Sequence, residues 1–416
     1  MQPLTRASAA PNAPLSALVD LCGDGSTCPL PGHPPQQHQA YFAERDSGGG
    51  AWAPAQLGLG CTNSVIRLNQ TVTRGFGGIT LDTSTNNSAT AEFQDWSFDG
   101  VSGAMHKSRV GSAPVTGLPP MLQIRFFMGT PSAILHTADG RQVALAQFYG
   151  YLATAPGLGG CHGDCHRTVG CVKMCFSTIT IASYDGGASW EFRSAISWDG
   201  QVMPSAVEGP CEPSLATMPD GKTLLSVFRL EDFSNLWSAS SSDGGRTWGT
   251  ATEINAWAVF PQLRVLPSGA LVLSAGRPGI GLWLADGRGA GQAPRSWKFY
   301  NLAKQHNALW SAAGSAGDQA DLLFLAPELA VLNASSTPSS PMLTKAYTGL
   351  ETTGCERERD GDGSTAGGWN NGTLSCTLVV SYDRLANGND GPDPGRPGPH
   401  GSRDAAFTMR VTVKAV

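Results

Sequence analysis

Residues Cys211–Trp248 read CEPSLATMPDGKTLLSVFRLEDFSNLWSASSSDGGRTW, and their pattern decides what kind of fold the chain makes. A Glu-Pro step leads into a strand expected over Pro213–Thr217. A tight Pro-Asp-Gly-Lys turn then reverses the chain into a second strand expected over Thr223–Phe228. Alternating apolar residues on both sides of an Asp-Gly pair are a strong local hairpin signal. Glu212 and Arg229 bracket this hairpin, so both are expected at the same edge of it. A carboxylate and a guanidinium side by side at a sheet edge suit either a polar site or an ion pair that closes the sheet.

The template recurs outward from there. PSAILHTADGRQVALAQF (Pro131–Phe148) and PQLRVLPSGALVLSAGR (Pro261–Arg277) repeat the order of proline, apolar strand, glycine-bearing turn and apolar strand. Pro213 to Arg229 and Pro261 to Arg277 are equally spaced. One hairpin repeated with variable connections predicts a toroid of small sheets, none able to bury its faces alone. Shorter strand-like runs, Ser64–Leu68 and Gly78–Leu81, precede these repeats. Phe407–Val413 follows the Gly/Pro-rich stretch Leu385–Arg403 and is expected to close the ring by pairing with an N-terminal strand, leaving no open edge. Residues 1–60, rich in Pro, Gly, Gln and His, read as an irregular segment ahead of a propeller over 61–416.

Composition agrees with an all-β fold. Among 416 residues, 52 are Gly, 28 are Pro and only 15% are charged, which favours turns over exposed helices. A net charge of −5 and a pI near 5.9 exclude a basic footprint for nucleic acid or anionic membrane. No apolar run reaches the roughly 18–20 residues of a membrane helix; the nearest, Ala320–Leu332, contains Asp321, Pro327 and Glu328. Pro11 and Pro14 interrupt the N-terminal stretch before it can form the apolar core of a signal peptide. The 10 cysteines nevertheless point toward an oxidising, secreted or luminal compartment, and Asn-x-Ser/Thr sequons at Asn69, Asn86, Asn333 and Asn371 fit it. A Cys22–Cys28 bridge would pin the first segment.

A second repeated element narrows the architecture. Ser183–Trp190 (SYDGGASW) and Ser241–Trp248 (SSDGGRTW) both fit S-x-D-x-G-x-[ST]-W. Asp and Ser/Thr side chains bond turn amides, glycine supplies positive φ, and the tryptophan ring packs beneath the turn. These octapeptides resemble the Asp boxes, or BNR repeats, of the sialidase (neuraminidase) superfamily. The resemblance runs from about Pro120 to Val416 and implies a six-bladed β-propeller with the boxes on outer hairpins, away from the active site. Asp185, Trp190, Asp243 and Trp248 are therefore read as structural.

The same resemblance assigns site residues. Sialidases place a Glu just before a Pro, followed by a strand ending in Arg; CEPSLATMPDGKTLLSVFR puts Glu212 and Arg229 in those places. A later Arg precedes an apolar-Trp-apolar run, matched by Arg277 in SAGRPGIGLWLADG, and a Tyr opens the last blade, matched by Tyr347 in LTKAYTGLE. The chemistry accounts for these residue types. A sialic acid carries a carboxylate on its anomeric carbon, which repels an attacking Asp or Glu; a tyrosine avoids that repulsion. A phenol with a pKa near ~10 needs a base beside it, and Glu212 is that base. Arg229 and Arg277 would bind the substrate carboxylate in a planar fork that lysine cannot reproduce.

The general acid implied by the resemblance is an Asp on the loop after the first repeat, FYGYLATAPGLGGCHGDCHRTVGCVKMC, whose one acidic residue is Asp164. Cys161, Cys165, Cys171 and Cys175, with His162 and His166, read first as two disulfides stapling this loop. Zinc is the alternative, although the spacing lacks paired C-x2-C knuckles. No cofactor is expected. The pattern departs from the family where sialidases carry Arg-Ile-Pro, because Met128-Gly129-Thr130-Pro131 has no arginine. Arg125 keeps the same face but lies about 13 Å along a regular strand, too far unless a bulge intervenes; Arg167 is the other stand-in. Two functions remain: an exo-sialidase-like hydrolase, or an inactive propeller that binds glycans or proteins.

Overall fold

The computed structural model describes residues 64–69, 72–98, 105–126, 133–136, 141–153, 176–197, 209–230, 235–276, 280–288, 294, 296–312, 348–357, 374–384 and 405–415, together with short strands within 4–57. Within the first segment, expected to be irregular, the described residues form a four-stranded antiparallel sheet. It contains β1 (Leu4–Arg6), β2 (Leu15–Asp20), β5 (Ala40–Arg45) and β6 (Gln56–Leu57), with the small pair β3 (Thr27–Cys28) and β4 (Gln36–Gln37) between β2 and β5. LSALVD and AYFAER carry enough apolar alternation to pair, a pattern masked by the Pro and Gln around them.

A nine-stranded sheet follows. One half is the meander β7 (Ser64–Arg67), β8 (Val72–Leu81), β9 (Ala89–Phe98) and β10 (Met105–Thr116). The other half contains β11 (Met121–Phe126), β12 (Ala133–His136), β13 (Gln142–Leu152), β14 (Phe176–Ser183) and β15 (Trp190–Ile196). A short parallel contact joins the halves, Val115 opposite Trp190 and Thr116 opposite Glu191. Two four-stranded antiparallel sheets come next. The first is β16 (Cys211–Thr217), β17 (Leu224–Arg229), β18 (Asn235–Ser241) and β19 (Thr252–Trp257). The second is β20 (Val259–Val265), β21 (Ala270–Gly276), β22 (Ile280–Asp286) and β23 (Lys298–Asn301), continued by helix α1 (Leu302–Ala312). A three-stranded sheet, β24 (Thr348–Arg357), β25 (Leu374–Arg384) and β26 (Ala405–Ala415), ends the chain.

All three hairpin templates of the sequence form, as β12–β13, β16–β17 and β20–β21. Their burial shows how the sheets are arranged. Every residue of β17 (LLSVFR) is buried, as are six of the seven in β16, whereas the last strand, β23, has Lys298, Phe299 and Tyr300 exposed. Strands covered on both faces lose the alternation of a half-solvated strand. One strand of each sheet packs on one of the next, β13 on β16, β16 on β20 and β20 on β24, while β1 lies against β24. Several buried polar side chains hydrogen-bond at or beside these joints. Ser226 Oγ donates to Gln147 Oε1 (2.8 Å) and Gln147 Nε2 to Thr180 Oγ1 (3.1 Å). Leu263 N donates to Ser214 Oγ (2.9 Å), and Ser274 Oγ meets Thr348 Oγ1 (3.0 Å).

Two features correct or add to the sequence reading. The last strand pairs with β25 along its whole length, from Leu374 opposite Ala415 to Arg384 opposite Ala405, and among the described residues no N-terminal strand pairs with its other edge. A hairpin partner adjacent in the chain forms with less loop-closure entropy than a strand hundreds of residues away. Cys355 and Cys376, opposite each other on β24 and β25, form a disulfide that the spacing did not single out. No helix among the described residues is long and apolar enough to cross a membrane.

Candidate functional site

The Glu-Pro step makes an unusual corner. Glu212 has φ +48°, rare for a residue with a Cβ and further disfavoured before proline. The β16–β17 ladder slips between Cys211 and Ser214, so the corner is a bulge that turns Glu212 out of the strand's alternation. Its carboxylate is buried and clamped in two directions. Arg229 donates from Nε to Oε2 (3.0 Å) and from Nη2 to Oε1 (3.1 Å), and Phe260 N donates to Oε2 (2.9 Å) from the next sheet. Both partners of the pair are 7% exposed, so the ion pair is shielded from the solvent that weakens surface pairs.

Phe260 repeats the corner one sheet later. It too precedes a proline, has φ +54°, and sits in a ladder slip between Val259 and Gln262. Tyr149, Cys211, Val259 and Phe260 form one apolar cluster beside the ion pair, with Phe176 packed against it. Tyr151 stacks on Phe176 at 4.4 Å, and Tyr149 meets the same ring edge-on at 5.0 Å. Sequence reading missed these aromatic neighbours. The one available clue to Phe260 was its position before Pro261, matching Glu212 before Pro213.

Glu212 and Arg229 are thus brought together, at the hairpin edge where both were expected. Asp164, Arg277 and Tyr347 lie outside the described residues, as do Arg167, the four cysteines of the 161–175 loop and Cys22. The strands that flank Arg277, Tyr347 and the β13–β14 connection all reach the same end of the molecule. Gly276, the last residue of β21, pairs with Val259 beside Phe260. Thr348, the first residue of β24, touches Ser274 two residues before it. The β13–β14 connection leaves from that end as well, because Tyr149 pairs with Thr178, whose hydroxyl donates to Pro210 O (3.1 Å). The β11–β13 ladder slips between Ile124 and Phe126, which makes Arg125 a bulge residue at the level of Tyr149. Next to Thr348 on the ladder, Tyr382 is buried with its hydroxyl 2.8 Å from His306 Nδ1, and burial pushes its phenol well above the ordinary tyrosine range.

The opposite end carries the two Asp-box turns, with the same bonds in each. Asp185 Oδ1 accepts from Ala188 N and Ser189 N, both at 2.9 Å, and Oδ2 from the Ser189 hydroxyl (2.6 Å). Asp243 Oδ1 accepts from Arg246 N (3.0 Å) and Thr247 N (2.9 Å), and Oδ2 from the Thr247 hydroxyl (2.6 Å). Partial burial raises each carboxyl's pKa, but the hydrogen bonds, led by Ser189 or Thr247, outweigh it; Asp243 falls from 3.8 to about 2 and Asp185 shifts the same way. Each turn is also held by an arginine from the preceding meander. Arg74 Nη1 donates to Gly186 O (3.3 Å) and Arg193 Nη1 to Gly244 O (2.9 Å). Arg74 is itself fixed by a buried bidentate pair with Asp95, at 2.7 and 2.9 Å. Trp190 packs against the Phe76 ring edge-on at 5.4 Å, and Trp248 donates to Ser194 Oγ (2.9 Å).

No family model matches the chain, and neither does any curated protein. Solved structures give distant likenesses. A Hadza microbial sialidase is 13% identical over 72% of this chain and 58% of its own, with a TM-score of 0.39. The Penicillium chrysogenum alpha-L-arabinanase, complexed with arabinobiose, is 11% identical over 95% of this chain and 89% of its own, with a TM-score of 0.45. A Synechocystis apocarotenoid oxygenase is 11% identical over the full chain and 74% of its own, with a TM-score of 0.34.

Proposed function

We propose that the chain is a six-bladed propeller of sialidase type that acts as a retaining exo-glycosidase, removing terminal sialic acid or a related acidic nonulosonate from glycans. The observation that carries this reading is the Glu212 corner, a buried carboxylate on a strained backbone where the strands leading to Tyr347 and Arg277 also end. Unfavourable backbone angles persist where the surrounding structure imposes them, often at functional sites.

In the proposed reaction the Tyr347 phenol oxygen attacks the anomeric carbon while Glu212 takes its proton. Asp164 protonates the leaving glycosidic oxygen. Water then cleaves the tyrosyl intermediate, with Asp164 accepting its proton and Glu212 returning one to the phenol. Arg229 and Arg277 hold the substrate carboxylate, and Arg125, at its bulge, is the candidate for the arginine missing beside Thr130.

A fluorogenic sialoside tests this reading. Wild type should turn over, Tyr347→Phe should lose nearly all activity, and Glu212→Gln should depress kcat more than substrate affinity. Activity surviving in Tyr347→Phe would remove the mechanism. One observation favours the second reading, a non-catalytic propeller that binds glycans: the closed bidentate geometry of Glu212 and Arg229 is also that of a structural ion pair. No turnover of any acidic sugar, with retained glycan binding, would decide for it.

A further inference from the structure

We propose that Asn86 carries an N-linked oligosaccharide. Asn86-Asn87-Ser88 is an Asn-x-Ser sequon at the tip of the β8–β9 turn, where Asn86 is exposed and has φ +55°. Asn is among the few residues with a Cβ that adopt this conformation readily. The turn is built around Asp82. Its Oδ1 accepts from Ser84 N (2.9 Å) and the Ser84 hydroxyl (2.6 Å), and its Oδ2 from the hydroxyls of Thr85 (3.1 Å) and Ser88 (3.2 Å). Hydrogen bonding, led by the Ser84 hydroxyl, holds the Asp82 carboxyl down at about 2, so this cage is charged and closed at neutral pH.

Only the backbone of Asn86 takes part: its N–H donates to Asp82 O (2.8 Å), and its C=O accepts from Met121 N (2.8 Å). Among the described residues the Asn86 carboxamide makes no hydrogen bond, so a substituent on Nδ2 displaces none. Asn69 differs, because its Oδ1 accepts from Val72 N (2.8 Å) within its own turn. The second, independent observation is the Cys355–Cys376 disulfide. Such bridges persist in the oxidising compartments where N-glycosylation also takes place. The donor is a polyprenyl-pyrophosphate-linked oligosaccharide. The Asn86 Nδ2–C1 bond forms, the C1–O bond to the pyrophosphate breaks, and the amide proton goes to a base of the transferase.

The test uses the full chain, directed into the secretory pathway of a eukaryotic host by a fused cleavable leader, digested with trypsin and mapped by mass. Cleavage after Arg67, Arg74 and Lys107 separates Asn69 from Asn86. The peptide containing Asn86 should carry hexose and N-acetylhexosamine mass that a peptide N-glycosidase removes. Asn86→Gln and Ser88→Ala should each abolish that mass, and Ser88→Thr should keep it. Recovery of this peptide only in unmodified form from the secreted protein would overturn the proposal, as would a glycan that persists in Asn86→Gln. The outcome is independent of whether the corner at Glu212 is catalytic.

Discussion

Ser183–Trp190 and Ser241–Trp248 repeat both the backbone and the side chains that bond it, down to the oxygen of the aspartate that each amide meets. The corners at Glu212–Pro213 and Phe260–Pro261 repeat backbone alone. Both have positive φ, a following proline and a slipped ladder, but one carries a carboxylate paired with arginine and the other an apolar ring. A turn that recurs with its bonding side chains is a joint, and its chemistry is consumed in holding itself together. A strained corner kept twice with different side chains is a mount. What differs between the two mounts is what the molecule can use.

The largest expected effect comes from breaking the charged corner. Arg229→Met leaves Glu212 buried without its guanidinium and should cost about 3–5 kcal/mol, read as a shift in denaturant midpoint. Adding Glu212→Gln should restore much of that. A double variant no more stable than Arg229→Met would mean that the arginine acts through packing alone. At the apolar corner, Phe260→Ala should cost about 3 kcal/mol in lost packing. Phe260→Gly should be less damaging by about 1 kcal/mol, because glycine relieves the left-handed backbone. The reverse order would deny that the two corners share a strained conformation.

The joints should respond more weakly and equally. Asp185→Ala and Asp243→Ala should each cost about 1 kcal/mol, since both turns are largely solvated. A marked inequality between them would break the equivalence on which the comparison rests. The smallest effect is on pH. The folded pKa of Asp243 lies below its ordinary 3.8, so its contribution is complete above about 4 and is lost as pH falls toward about 2. Thermal melts across that range should show a shallower acid loss in Asp243→Asn than in wild type.

The joints were legible in the sequence because their chemistry is local. Asp, Gly and Ser/Thr within eight residues contain the partners the aspartate bonds. The β16–β17 hairpin was legible for the same reason, and with it the meeting of Glu212 and Arg229. Phe260 N on Glu212 was not, because that bond crosses from one sheet to the next over 48 positions and uses a main-chain group that no residue type announces. The strands within 1–57 were hidden by composition: proline and glutamine around LSALVD and AYFAER outweighed two short alternations. The Cys355–Cys376 pairing depends on the β24–β25 register, which is set between two strands and is announced by neither alone.

The arginine clasps have a consequence for how the chain comes together. Gly186 O is gripped by Arg74 and Gly244 O by Arg193, so each fastening needs a part synthesised earlier. A nascent chain emerging N-terminus first therefore always holds the clasp before the loop it must catch. Opening the chain by circular permutation between Arg193 and Gly244 would reverse that order for one joint and keep it for the joint of Arg74 with Gly186.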